Sequence, residues 1–347
     1  MLNKKLGTLT RLARDESTGP SKFKDGLYYT ATPGGYTPIF KSLITNKCVN
    51  DCKYCVNRSN SNIERVEMSP EEFAALISRL DKAGRISGAF ISSGIYPDVN
   101  RAQENLFRTA KLLRKRFGFS KYLHVKIMPG ADLDLIRKCS RLADRVSVNT
   151  ETTGDEELSR VARRKKYRTI LKTLRALSEN SDSVITQVMA GVAEDTDYDL
   201  IRLAEDFYRD FGLRRVFFSG FRSENNEVRR PSESEAREYR LYQCDSLLKD
   251  YGFSAEQIFR GTKNLDLNLD PKANWVINNL DRFPVELKKA DRQTLLTIPG
   301  IGPKTADKIL SGGKIPKKAQ HFLQINGKYQ GESLDRDFIY NLLSGSH

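Results

Sequence analysis

The hydrophobic pattern of this chain alternates between two periods. Short apolar runs at 39–45, 88–93, 122–128, 145–149, 184–189 and 215–218 have the length and β-type composition of buried strands. Between them, 70–83, 103–117, 132–142, 167–179 and 197–211 place apolar residues at helical spacing, as Leu76, Ile77 and Leu80 do. Ser69-Pro70-Glu71-Glu72 opens the first of these helices with a capping hydroxyl, a proline at the first helical position and acids that suit the helix dipole. Strand–helix alternation implies parallel strands joined by right-handed crossovers. Six strands fall short of a closed eight-stranded barrel, so the pattern predicts an α/β fold, a partial (β/α)6 barrel. Reactive residues in such folds sit in the loops after the strands.

The pattern changes at both ends. Residues 1–35 form a polar lead-in broken by Gly19-Pro20 and Pro33-Gly34-Gly35, with a short strand expected at 26–32. Past 222 the alternation stops. The stretch 222–231 is charged and turn-rich, and 233–251 reads as one helix. Leu265, Leu267 and Leu269 before Asp270-Pro271 mark a connection. The expected organisation is a lead-in (1–35), a core (36–222), a helical connector (223–281) and a small all-α module (282–347). No apolar run approaches the ~20 residues needed to cross a bilayer. The first seven residues lack the apolar stretch of a signal peptide. The expectation is a cytoplasmic protein with no membrane partner, in a compartment where thiols stay reduced.

Charge adds a partner. The 58 Lys and Arg outnumber the 44 Asp and Glu, giving a net +14. Such an excess favours a polyanion such as nucleic acid, or else a solvated basic surface. It does not choose between DNA and RNA.

Cysteine placement adds chemistry. Three of the five cysteines fall in Cys48-x3-Cys52-x2-Cys55, just after the first expected strand. Soft thiolates suit iron–sulfur chemistry, and three of them on a tight loop hold three corners of a cubane with one iron left open. Structural zinc usually takes four closed ligands. The remaining Cys139, Cys244, His124, His321 and His347 are all distant in sequence.

With Tyr54 before its last cysteine, this run resembles the radical S-adenosylmethionine (SAM) superfamily, over residues 36–222. The resemblance implies a [4Fe–4S] cluster on Cys48, Cys52 and Cys55 whose open iron chelates SAM. It also implies an electron donor such as flavodoxin or ferredoxin, and reductive cleavage to a 5′-deoxyadenosyl radical that abstracts hydrogen from a substrate. Tyr54 belongs to the implied SAM site. Ser93 and Gly94 stand where the family often carries a Gly-Gly-Glu turn, here without the glutamate. Asn149 and Glu151 fall where ribose hydroxyls and the methionine carboxylate are held. Gly191 and Glu194 match a G-x-I-x-G-x-x-E stretch near adenine, in which Gln187 and Met189 replace the first glycine and the isoleucine. Phe217 and Phe218 pack near adenine or in the core. His124 and Lys126 share one strand face and either enter the barrel or sit satisfied at its rim. Cys244 is a hydrogen-atom donor or, by default, a buried structural cysteine.

A second motif lies at 295–310, where two short helices flank Ile298-Pro299-Gly300-Ile301-Gly302-Pro303-Lys304. Glycines let backbone amides approach a phosphate at a helix start, and Lys304 adds charge there. Leu295, Ile298, Ile301, Ala306 and Ile309 supply a small core. The stretch resembles the helix-hairpin-helix of DNA-binding and repair proteins, with Gly300, Gly302 and Lys304 as DNA contacts. The basic stretches 160–168 and 314–318 extend the phosphate track. A glycosylase of this class pairs the lysine with an aspartate about twenty residues on, but no Asp or Glu occurs between Asp307 and Glu332. Together the two motifs resemble radical SAM proteins assigned to DNA modification or repair. A radical enzyme acting on RNA, or a non-catalytic iron–sulfur protein that recruits repair partners, fits the same residues.

Overall fold

Eight strands form one sheet whose spatial order follows the chain. Helix α1 (Leu2–Arg11) precedes an antiparallel hairpin of β1 (Ser21–Lys24) and β2 (Leu27–Thr32). Strand β3 (Gly35–Leu43) pairs antiparallel with β2 and parallel with β4 (Gly88–Ser92). Parallel pairing then continues through β5 (Tyr122–Lys126), β6 (Arg145–Ser147), β7 (Val184–Ala190) and β8 (Arg215–Gly220). The crossovers are α2 (Pro70–Lys82), α3 (Val99–Lys111, continued by a π-helical turn), α4 (Leu133–Ser140), the pair α5 (Asp155–Val161) and α6 (Tyr167–Ser178), and α7 (Asp197–Phe211). The computed structural model describes residues 2–13, 21–24, 27–32, 34–221, 231–325, 328–329, 334, 340 and 342.

The six parallel strands are the expected partial barrel, curled into a half-barrel. Helix α1 falls inside the expected polar lead-in, where no helix was expected, and two short elements were not legible. β1 reads Ser-Lys-Phe-Lys, an edge strand without an apolar run, and α5 is too short to display a period. At α2 the capping box forms as the sequence implies, with Glu72 N–H donating to Ser69 Oγ and Ser69 N–H to Glu72 Oε2.

Register sorts the strand residues into two faces. Phe40, Ala89 and Leu123 align on one, and Phe40 meets Phe73 of α2 with ring centroids 5.9 Å apart. The other face carries Lys41, Phe90, His124 and Arg145 in one row, then Ser92, Lys126 and Ser147 nearer the strand ends. There Phe90 stacks on His124 at 4.0 Å, and His124 Nε2 lies 2.8 Å from Ser147 Oγ. Helices cover the apolar face, and the polar rows line the other.

This sheet and its helices make up one unit, 1–195 with 206–221; the other takes 196–205 with 222–347. The second unit holds α8 (Pro231–Tyr251), α9 (Ala255–Phe259), α10 (Pro271–Ile277), β9 (Val285–Glu286), α11 (Arg292–Thr297), α12 (Pro303–Leu310), α13 (Lys317–Gln320), β10 (Leu323–Ile325) and β11 (Lys328–Tyr329). Within the expected connection, Asp270 caps α10 and Pro271 opens it. Trp275 meets Phe253 and Phe283 edge-on, and Phe283 meets Phe322. The helical region also carries a small sheet in the order β11-β10-β9, of strands too short to leave a sequence signature. The charged stretch at 222–230 lies outside the described residues.

Candidate functional site

The cysteine loop leaves the end of β3 and is anchored before it turns. Asn46 donates from Nδ2 to Glu64 O, accepts at Oδ1 from Val66 N–H and donates its own N–H to Val66 O. Arg65 then reaches back across the loop. Its guanidinium donates to the carbonyls of Asn46, Asn57, Arg58 and Ser61 at 2.6–3.0 Å. One fixed fork thus gathers four carbonyls that no regular element satisfies. From the other side, Val49 N–H donates to Ile95 O and Lys53 N–H to Val161 O, while Arg164 donates to Val49 O.

Cys48, Cys52 and Cys55 are free thiols on this loop, Cys52 buried and the others half-buried. Burial raises the Cys52 thiol and pushes Cys55 up to about 12, with Asn57 N–H opposing at Cys55. A cluster taking them as thiolates therefore displaces protons on loading. The residues fit a [4Fe–4S] group: three thiols on a stapled loop with no fourth cysteine near in sequence. Asp51 and Asn57 each keep one buried side-chain oxygen without a hydrogen-bond partner, the kind of atom a water or ligand completes. Among the described residues, no three His, Cys, Asp or Glu side chains converge as a single-ion cage.

At the end of β4, Ser93 Oγ donates to Gly94 O at 2.6 Å, and Gly94 N–H donates to Thr45 O. A Cβ on Gly94 would lie 2.1 Å from Lys47 O and 3.2 Å from Thr45 O. Only glycine lets this turn lie flat against the chain entering the cluster loop.

Beyond β6, Lys126 donates to Asn149 Oδ1. Burial, then the Arg145, Lys126 and Lys41 charges, hold His124 well below the usual imidazole range, so it is neutral. Glu151 is buried with φ +70°, and its backbone is pinned to β7: its N–H donates to Gln187 O, and its carbonyl accepts from Met189 N–H at 2.8 Å. Its carboxylate accepts from Lys165 Nζ at 2.7 Å, and the same ammonium donates to Tyr54 Oη at 3.1 Å. Burial opposes the Lys165 charge, but Glu151, Tyr54 and Cys52 outweigh it and hold the group well above the usual lysine range. Gly191 has φ +86°, which suits glycine. Glu194 stands 82% exposed in an ion pair with Arg160.

The structure thus brings Tyr54 and Glu151 together through Lys165, a residue the sequence placed in a basic phosphate track. Arg65 and Lys165 carried no signal, since a side chain's burial in a polar stretch has no local signature. Phe217 and Phe218 are both buried strand residues. Cys244 is fully buried in the second unit, where burial first, then Asp197 and Asp245, raises its thiol.

In the second unit, α11 and α12 flank the Gly-x-Gly turn over a buried core of Leu295, Leu296, Ile298, Ile301 and Ala306. Gly300 has φ +83°, and Gly302 caps α12 without a side-chain bond. Lys304 is exposed in a first turn that contains no acid. Beneath the turn, the buried Lys272 donates from Nζ to Ile301 O at 2.6 Å and lies 4.7 Å from the Tyr251 ring centre.

Among the described residues, no helix is long and apolar enough to cross a membrane. The radical SAM superfamily model matches residues 42–207, and the helix-hairpin-helix motif model matches 285–312. No curated protein sequence matches the chain. Among solved structures, the chain is similar to HydG, a maturase of the [FeFe]-hydrogenase: 15% identity, 59% of this chain, 49% of that one, TM-score 0.50. HydG from Carboxydothermus hydrogenoformans gives 15% identity over 60% of this chain and 51% of its own, with TM-score 0.50. The chain therefore spans about half the length of these structures, and the likeness is one of fold. The superfamily uses a [4Fe–4S] cluster and SAM. Residues 42–207 thus carry a radical SAM domain, the domain of a superfamily of enzymes, and a helix-hairpin-helix motif follows it in the chain.

Proposed function

We propose that the protein is a radical SAM enzyme acting on DNA, in modification or repair. The observation that carries the reading is the stapled loop of Cys48, Cys52 and Cys55 at the end of the first parallel strand. When bound there, the cluster and SAM supply the radical that removes a substrate hydrogen. Tyr54, Ser93, Gly94, Asn149, Glu151 and Gly191 hold SAM in this reading. Glu194, exposed and paired with Arg160, contributes from the rim. The inward polar rows orient the bound groups, and covering helices keep bulk water away.

DNA is favoured by the hairpin. Gly300 and Gly302 free backbone amides at the start of α12, and Lys304 places a cation where the helix dipole alone disfavours one, an arrangement that suits a phosphate. Such contacts give affinity without reading bases, so a base or sugar within a duplex has to be extruded or already unstacked. An electron donor of the flavodoxin or ferredoxin kind completes the requirement.

The test is anaerobic reconstitution with dithionite and SAM, followed by mass spectrometry of defined nucleic acids after turnover. Release of 5′-deoxyadenosine is expected, and its absence from an intact cluster protein leaves a non-catalytic iron–sulfur protein that recruits repair partners. Competition between duplex DNA and transfer RNA over a salt series decides the polymer; the net charge of +14 suits RNA equally.

A further inference from the structure

Lys165 lies in a run of six basic residues among nine, 160–168, yet its side chain is only 14% exposed and turns away from solvent. Three observations tie it to the cluster loop. Its Nζ donates to Tyr54 Oη at 3.1 Å and to Glu151 Oε1 at 2.7 Å. Tyr54 stands between two of the cysteines, two residues after Cys52 and directly before Cys55. The segment that delivers Lys165 is stitched to the same loop by Lys53 N–H to Val161 O, and Lys165 N–H closes a turn onto Ala162 O.

Stability alone does not account for this arrangement. Desolvating two charges costs about what their attraction returns, so a buried ion pair is a weak source of net stability. Here Glu151 also sits in the left-handed region, a backbone state that costs a non-glycine residue roughly 1–3 kcal/mol. Strain and burial of this kind accumulate where a site is pre-organised. We propose that Lys165 is a positioning residue of the cluster centre: it holds the Tyr54 hydroxyl beside the cysteine loop and the Glu151 carboxylate at the end of β6, so that this buried triad sets how readily the cluster accepts an electron.

The physical basis is the charge that builds on a cluster when it is reduced. A positive charge or a polarised donor buried beside the ligating sulfurs stabilises the more negative, reduced form, and so raises the reduction potential. The Lys165 ammonium and the Tyr54 hydroxyl it polarises act in that sense, while Glu151 acts in the opposite one. The inference rests on the cluster reading above.

The experiment is a redox titration of reconstituted full-length protein, followed by electron paramagnetic resonance, with iron and sulfide measured on each sample. Tyr54→Phe keeps the shape of the ring and removes only the hydroxyl, so its midpoint potential should fall. Lys165→Met should fall as well, and the double variant should fall by less than the two single shifts summed. Glu151→Gln should rise. Lys165→Arg should recover part of the loss, since it restores charge and donors. Unmoved potentials in Tyr54→Phe and Glu151→Gln, at wild-type iron and sulfide content, overturn the inference while leaving the cluster reading intact. If Lys165→Met loads no cluster, those two variants still decide. Wild-type protein that takes up no iron and sulfide overturns the cluster reading, and this inference with it.

Discussion

Around the cluster loop the holding is done by buried polar side chains; around the hairpin it is done by apolar ones. Asn46, Arg65 and Lys165 cross-link backbone carbonyls and side chains up to 111 residues apart in sequence. Leu295, Ile298, Ile301 and Ala306 instead close a small core within twelve residues. In the proposed function the difference follows from what each loop presents, a cluster in one case and a phosphate site in the other. A cluster site needs its sulfurs in three fixed directions, and directional hydrogen bonds impose direction. A phosphate site that ignores sequence needs only exposed amides and charge, so a non-directional apolar support suffices. Lys272 is the exception in the hairpin, a buried polar prop beneath an apolar turn.

The comparison breaks most decisively at the ligands. Cys52→Ala should abolish cluster loading, read as iron and sulfide content and as visible absorbance, while the hairpin keeps its DNA affinity. Next comes the glycine that lets strand end and loop touch. Gly94→Ala forces a Cβ against the Lys47 carbonyl, a backbone atom with no freedom to move aside. A cost of about 3 kcal/mol is expected, read in thermal unfolding, together with poorer cluster retention. A variant as stable as wild type would show that the turn relaxes.

The hairpin's polar prop gives a pH signature. Burial pulls the Lys272 ammonium from 10.5 down to about 7, with Asp270 opposing. Below that pH both folded and unfolded chains carry the proton, and the burial penalty is fully present. As pH rises from about 7 toward 10.5, the unfolded chain binds the extra proton, so the folded state gains stability. Wild-type protein should therefore gain stability between about pH 7 and pH 9 relative to Lys272→Met, in urea unfolding of the full chain. Parallel pH curves would remove Lys272 from the hairpin's support. The smallest effect is expected at Lys304. Lys304→Gln should lower DNA affinity a few-fold and reduce the slope of log affinity against log salt by about 1, with cluster content unchanged.

The two regions were not equally legible in the sequence. The six parallel strands and their crossovers appeared within a few residues of their observed ends, because burial on a sheet or helix face imposes a period that neighbouring residues display. The hairpin was legible for the same reason, its spacing and its glycines being local requirements. Gly94 was readable as a turn, but its close approach to Lys47 was not, since the two come from different strand ends. The basic stretch 160–168 shows the limit most clearly. Composition assigned all of it to a solvent-facing phosphate track, whereas Lys165 turns inward to Glu151 and Tyr54.

The chain by itself determined the half-barrel, the three-thiol loop after its first parallel strand, and the Gly-x-Gly hairpin, because each is written as a spacing between near neighbours. Only the tertiary structure decided which polar side chains are buried and what they meet: Arg65 on four carbonyls, Lys165 between a tyrosine and a strained glutamate, Lys272 under a turn. A buried hydrogen bond joins residues by distance and angle in space, and a linear sequence carries no record of either until the sheet has curled.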